Sequence, residues 1–367
     1  MRIDKIEVIS LIVAVIMAGG RGERFWPKSR THTPKQFLDL TGNGTMFQLT
    51  IQRLTPLIPP ERIFVVTGKA YEKQVMSQLP LVPATNVIIE PMGRDTAACI
   101  GLAAVTIEQQ YPDAVMVVLP SDHLILDNEE YLNNLRCAAE QAEKEECIVT
   151  IGINPTMPET GYGYIKSGQL ACEIDGMQVL EVERFTEKPD RETAIKFLRT
   201  GKYFWNSGMF IWKVSTIRKL MEQHMPELHD RLEIIQDVLG RAEEEQVLED
   251  QFIQMKKISI DYGVLEKTDK VYVIPGYFGW DDVGGWVALE RVNQLDEEGN
   301  LITGQCISLD TQKCIVDSPK KLVATIGIED LVIVDTEDVL LVCHKGRSQD
   351  IKKLLEKFKE KQMDSYL

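Results

Sequence analysis

The sequence predicts an α/β fold followed by a small all-β module. In the first half, short runs that are apolar at nearly every position alternate with helical stretches, the mark of a parallel sheet buried on both faces. From about Gly161 strand-like and helical segments are mixed. After Trp286 short strand-like pieces recur between turn residues.

Each element has its own reason. Met1–Ser10 reads as a short extension or as the approach to the first strand. The apolar run Leu11–Ala18 is too short to span a membrane and ends in Gly19-Gly20-Arg21-Gly22, so it reads as a buried strand entering a glycine turn. Strands are expected at Ile12–Met17, Ile63–Thr67, Val87–Glu90, Ala114–Pro120 and Ile148–Ile153. Helices are expected between them at Phe47–Leu54, Glu72–Gln78, Thr96–Gln110 and Tyr131–Lys144. Right-handed crossovers make this a Rossmann-like sheet, whose ligands bind beyond the carboxyl ends of the strands.

In the mixed region, strands are expected at Tyr162–Ser167, Val179–Phe185, Phe210–Lys213 and Val271–Ile274, with helices at Arg191–Arg199 and Thr216–Glu245. The run Glu243-Glu244-Glu245 reads as a solvated face. The β module is expected to use Gln305–Leu309, Cys314–Val316, Leu322–Ile326, Leu331–Asp335 and Val339–His344, closed by an amphipathic helix, Ser348–Lys361. A boundary near residues 287–298 divides a domain of residues 1–290 from a module of residues 291–367.

Composition narrows the class. Hydrophobic residues make up 44% and charged residues 26%, ordinary for a globular protein that needs no staples. A net charge of −15 argues against a nucleic-acid partner and leaves room only for a local basic pocket. Seven scattered cysteines without CxxC spacing argue against a disulfide framework and for a reducing, cytoplasmic setting. Cys99, Cys137 and Cys147 lie in apolar or helical contexts and read as small core residues. No segment reads as a transmembrane helix.

The chemistry concentrates at strand ends. Ala18, Gly19, Gly20 and Gly22 let the backbone approach phosphates with amides turned toward the anion. Arg24 and Lys35, the latter in Pro34-Lys35-Gln36, supply cations to neutralise phosphate charge. The loop is neither a GxGxxG fingerprint nor a Walker loop. Asp122 follows the strand Val115–Leu119, where a carboxylate suits Mg²⁺ or Mn²⁺ shared with substrate phosphates, or caps a turn. Asp282, before Gly284, has the same two readings, and Asp281 beside it is not separable from it. Glu187-Lys188-Pro189 places a cation and an acceptor at a strand end or is a plain surface ion pair, and Asn206 with Gly208 suits a sugar hydroxyl or a plain turn. Arg94 and Asp95 precede the helix from Thr96, itself a suitable N-cap. His123 is assigned a structural role.

Taken in order, these motifs resemble the sugar-1-phosphate nucleotidyltransferase family. The strand, the glycine loop, Arg24 and the downstream Pro34-Lys35 carry the likeness. Phe25-Trp26-Pro27-Lys28-Ser29 and the Lys35-Gln36 ending resemble its mannose-1-phosphate guanylyltransferase branch, and the likeness runs over nearly the whole chain. The resemblance implies a GT-A-like domain with a mixed central sheet, a module like a short left-handed β-helix, and a homodimer. It makes Glu90–Ala97 the base-recognition segment, with Glu90, Arg94, Asp95 and Thr96 at the nucleotide. It makes Gly161, Tyr164, Glu187, Lys188 and Asn206 the sugar-phosphate residues, and Asp122 and Asp282 the metal ligands.

The implied reaction joins GTP and mannose 1-phosphate to give GDP-mannose and pyrophosphate. An anionic nucleophile needs no strong base, so positioning and charge neutralisation carry the catalysis. Arg24 and Lys35 would face the pyrophosphate and Lys188 the sugar phosphate. Another sugar 1-phosphate, such as a heptose, is the near alternative. A dehydrogenase is disfavoured by the missing GxGxxG, and a non-catalytic nucleotide-sugar sensor by the presence of Lys35 and both metal carboxylates. The length leaves no room for a phosphomannose isomerase domain after the β module.

Overall fold

The computed structural model describes residues 11–20, 22–79 and 81–367, so the expectations for Met1–Ser10 and for Arg21 of the glycine loop fall outside the described residues. In chain order the elements are β1 (Ile12–Met17), α1 (Met46–Leu54), β2 (Ile63–Gly68), α2 (Glu72–Gln78), β3 (Val87–Glu90), α3 (Thr96–Gln110), β4 (Val115–Pro120), α4 (Asn128–Lys144) and β5 (Ile148–Ile153). Then come β6 (Tyr164–Ile174), β7 (Met177–Thr186), α5 (Arg191–Thr200), β8 (Tyr203–Lys213), α6 (Val214–His224), α7 (Pro226–Gln236), α8 (Glu244–Phe252), α9 (Ile260–Gly263) and β9 (Val271–Gly276). The last are α10 (Leu289–Val292), β10 (Leu301–Leu309), β11 (Ile315–Ile326), β12 (Leu331–Asp335), β13 (Leu340–His344) and α11 (Ile351–Glu360).

The chain folds into two compact units. The first takes the residues up to Gly19, Arg53–Pro120 and Ile125–Trp280. Its nine-stranded sheet runs β3-β2-β1-β4-β8-β5-β9-β7-β6. The first four strands are parallel, as their apolar runs predict, and β8 enters antiparallel between β4 and β5. The sheet is therefore mixed, as the resemblance implies. Helix α3 packs on one face with α6 and α7, and its residues Ala97–Val105 are buried on every side. The expected helix Thr216–Glu245 is corrected to three, α6, α7 and α8. Pro226 cannot continue α6 because it lacks an amide hydrogen, so it starts α7 instead.

The second unit joins Gly20–Gln52, Ser121–Leu124 and Asp281–Leu367. Strands β10, β11 and β12 are parallel, and β13 closes the sheet antiparallel. Two expected strand pieces, Cys314–Val316 and Leu322–Ile326, merge into the single long β11. One face of this sheet packs Leu301, Ile315, Val332, Val334 and Leu341 against Phe25, Trp26, Trp286 and the apolar stripe of α11. The segment after the glycine loop thus shares a core with the C-terminal strands. Among the described residues no helix is long and apolar enough to cross a membrane, and the seven cysteines are free.

Candidate active site

Three groups of site residues take shape. In the second unit Gly20, Gly22, Lys35, Asp122 and Asp282 come together. Gly22 adopts the left-handed region (φ 58°), and a β-carbon there would stand 2.2 Å from Lys35 Cβ. Only glycine lets the loop pass so close to the turn Lys35–Phe37. Gln36 Nε2 donates to the Gly20 carbonyl at 3.0 Å and locks that crossing. The Lys35 side chain is buried, and its ammonium lies 2.8 Å from Asp122 Oδ2 while also donating to the Asp282 carbonyl. A two-residue bridge between Leu124 and Asp281 brings the two aspartate segments side by side.

Electrostatics prepares these groups. Partial burial pushes the Asp122 carboxyl upward, but the Lys35 ammonium and His123 outweigh it, so its pKa lies below the usual value. Asp122 is one-third exposed and ionised at neutral pH. The two neighbouring aspartates are now separable. Asp281 takes a bidentate pair from Arg291, at 2.6 and 2.9 Å, and caps the turn through Val283 N, which makes it structural. The Asp282 carboxylate instead folds over Gly284, where a β-carbon would stand 2.9 Å from its Oδ2 and 3.4 Å from Arg24 Nη1. Arg24 makes one long bond to the Gly284 carbonyl, and its Nε is buried without a partner.

The base segment, in the first unit, is only partly free for a ligand. Ala18 is fully buried; its N–H donates to the Val66 carbonyl and its own carbonyl accepts from the Thr67 hydroxyl, which fixes the strand end from which the loop leaves. The Arg94 guanidinium donates through Nε and Nη2 to the carbonyls of Phe252 and Ile253 at the end of α8. The N-cap of α3 is Asp95 rather than Thr96: Asp95 Oδ1 accepts from Thr96 N at 2.8 Å. The Thr96 hydroxyl accepts from Ile260 N. Glu90 is different. It is buried, Oε1 has no hydrogen-bond partner, and burial pushes its pKa up to about 7. Its other oxygen faces Gly19, 3.8 Å from where a β-carbon would stand.

The sugar group also lies in the first unit. Glu187 folds over Gly163, where a β-carbon would meet its Oε2 at 2.6 Å and Asn206 Cβ at 3.4 Å. Lys188, at φ 41°, is exposed and pairs with Glu187. Asn206 Nδ2 donates to Asp261 Oδ1 at 2.8 Å. Tyr164 is fully buried, and its hydroxyl donates to the Glu159 carbonyl, which holds the turn before Gly161. Gly161, exposed, donates its N–H to the Glu159 carboxylate. Sequence reasoning missed Asp261, because an aspartate 55 residues from Asn206 in a short helix carries no local signal. It also left out Tyr162, whose ring lies edge-on to Trp205 and Trp280.

Comparison with known proteins adds an independent line. Residues 13–299 match a family model described as nucleotidyl transferase, and residues 304–358 one described as a MannoseP isomerase/GMP-like beta-helix domain. The chain is 40% identical over 362 residues to a mannose-1-phosphate guanylyltransferase of Klebsiella pneumoniae, covering 97% of this chain and 76% of that one. It is 37% identical to the alginate biosynthesis protein AlgA of Pseudomonas putida, covering 95% and 72%. A crystal structure described as mannose-1-phosphate geranyltransferase from Thermus thermophilus superposes with a TM-score of 0.85 at 37% identity, over 95% of this chain and 99% of that one.

Proposed function

Because this chain belongs to the nucleotidyl transferase family, we propose that it transfers GMP from GTP to α-D-mannose 1-phosphate, forming GDP-mannose and releasing pyrophosphate. The observation that carries this reading is the Lys35 ammonium held between the Asp122 carboxylate and the Asp282 carbonyl, beside a glycine loop. The sugar comes from the relatives, which are named for mannose 1-phosphate.

A phosphate oxygen of mannose 1-phosphate attacks the α-phosphorus of GTP, the bond to the β-phosphate oxygen breaks, and pyrophosphate leaves with its charge. No covalent intermediate on the protein is needed. The barrier is largely repulsion between anions, so fixed cations lower it. Arg24, whose buried Nε has no acceptor in the protein, is suited to a phosphate oxygen. Lys35 holds Asp122 in place and adds positive charge beside the loop. Lys188 takes the sugar phosphate, while Glu187 and Asn206 take sugar hydroxyls. Glu90 accepts from the donor edge of guanine.

Among the described residues no three or more His, Cys, Asp or Glu side chains gather into a metal cage. Mg²⁺ needs no cage, since one or two carboxylates plus substrate phosphates and water satisfy it. The ionised Asp122 and the Asp282 carboxylate over Gly284 fit that requirement and would hold the ion. When bound, it would supply positive charge at the reacting phosphates. The test is pyrophosphate release over a grid of nucleoside triphosphates and sugar 1-phosphates. GTP with mannose 1-phosphate should give the highest kcat/KM; a higher value for ATP, UTP or another sugar would overturn the assignment.

A further inference from the structure

We propose, on the reading of Glu187, Lys188 and Asn206 as the sugar-phosphate residues, that Asp261 is a positioning residue that fixes the Asn206 amide for a hexose hydroxyl. Asn206 lies in β8, and its main-chain N–H donates to the Gly163 carbonyl at 2.8 Å. Its side chain is held at both ends. Oδ1 accepts from Gly208 N at 3.1 Å, and Nδ2 donates to Asp261 Oδ1 at 2.8 Å. The two bonds assign the amide without ambiguity, because a carboxylate only accepts and a backbone N–H only donates. One N–H of the amide is spent on Asp261, and the second is left for a ligand.

Asp261 is itself held. It sits on α9, whose first turn is capped by Ser259. Ile260 N donates to Thr96 Oγ1 at 2.8 Å, and Ala97 N to the Ile258 carbonyl at 3.3 Å, so α9 is pinned to the first turn of α3. The strut therefore runs from the α3 terminus, which follows the base segment, to the amide of the sugar group, all within one compact unit. Burial pushes the Asp261 carboxyl upward, and its bond from Asn206 opposes that. Glu187 faces the same space with a second carboxylate, and Lys188 sets a cation beside both. An amide fixed among acceptors of this kind suits a polyhydroxylated ligand, whose hydroxyls can both donate and accept.

Steady-state kinetics on the full chain tests this, with GTP and mannose 1-phosphate varied in turn. Asp261→Asn removes the negative charge and one of the two acceptor oxygens at almost constant shape, so the bond from Asn206 is no longer charge-assisted. It should raise the KM for mannose 1-phosphate roughly tenfold, the scale of one hydrogen bond to a charged group, and leave the KM for GTP unchanged. Asp261→Glu keeps the charge on a longer arm and should fall between the two, at about threefold. Should Asp261→Asn fail to fold, the Glu variant carries the same prediction. In an Asn206→Ala background Asp261→Asn should cost nothing more, as expected of a residue that acts through the amide. Additive losses, or an unchanged KM for the sugar phosphate in both Asp261 variants, would overturn the role. If Asn206→Ala alone leaves that KM unchanged, the sugar-site reading itself fails instead.

Discussion

At the scale of single residues, Glu90 is the most informative group. Its pKa, raised to about 7 by burial, means that the folded state binds a proton the unfolded chain gives up. Stability should therefore fall as pH rises from the ordinary carboxyl range to about 7, by roughly 3 kcal/mol. Glu90→Gln cannot ionise. Its melting temperature, relative to wild type and without ligand, should be higher at pH 8 than at pH 5. Guanine offers N–H donors, so GTP should favour the ionised form. Titration calorimetry should show wild-type affinity for GTP rising more steeply from pH 6 to 8 than that of Glu90→Gln, which also controls for titration of the triphosphate. Parallel profiles would remove Glu90 from the base site. Asp122 has the opposite sign. Its lowered pKa keeps it ionised through neutral pH, and what its pairing with Lys35 contributes is lost only as pH falls through that lowered value. Asp122→Asn or Asp282→Asn should slow turnover by roughly 10²–10⁴-fold at limiting Mg²⁺. Near wild-type rates would end the metal assignment.

At the scale of elements, the segment after the glycine loop is tied to the C-terminus. Trp26 Nε1 donates to the Tyr366 carbonyl at 2.7 Å, and Arg30 Nη1 to the same oxygen at 2.9 Å. Trp26 also packs on Phe358 of α11, and Lys28 pairs with Asp317 of β11. Truncation after Gln294 would strip the core from Phe25, Trp26 and Trp286. Such a protein should lose both stability and turnover, even though Arg24, Lys35, Asp122 and Asp282 all remain. A soluble truncation with unchanged melting temperature and kcat would show that these contacts are dispensable. This link was not legible in the sequence, since it joins residues more than 300 positions apart. What was legible depended on local pattern. The strands β1, β3 and β5 and the helices α2 and α3 end where apolar runs and turn residues place them. Strand β8 was read only in its apolar half, because Asn206, Ser207 and Gly208 look like a turn in sequence although they continue the strand. Lys35, Asp122 and Asp282 were recognisable by motif, but the direct contacts among them and the diversion of Asp281 to Arg291 are tertiary facts.

At the scale of the whole molecule, the outer face of the β module raises the question of assembly. In the second half of β10 and β11, Ile307 pairs with Ala324 and Leu309 with Ile326. Cys306 and Val323, which alternate with these residues, pack inward on Cys314, Val316 and Ile333. The period of two therefore turns Ile307, Leu309, Leu322 and Ile326 outward together, with Ile326 72% exposed. β10 is also an edge strand of its sheet. A two-stranded aliphatic face at a sheet edge is a liability in an isolated chain. We propose that a second copy covers it and that the protein is a homodimer. A two-fold interface needs only one self-complementary patch, and each aliphatic side chain withdrawn from water contributes about 1.5–3 kcal/mol before the cost of association. Light scattering should find about twice the 41.6 kDa of one chain at micromolar concentration. Ile326→Lys combined with Leu309→Lys places desolvated charges on the patch and should leave single chains. None of the proposed ligand residues lies on this ribbon, so turnover per chain should stay within about twofold, less than 0.5 kcal/mol on the barrier. A wild-type protein that is already monomeric, or a double variant that remains dimeric, would show that this face is not the interface.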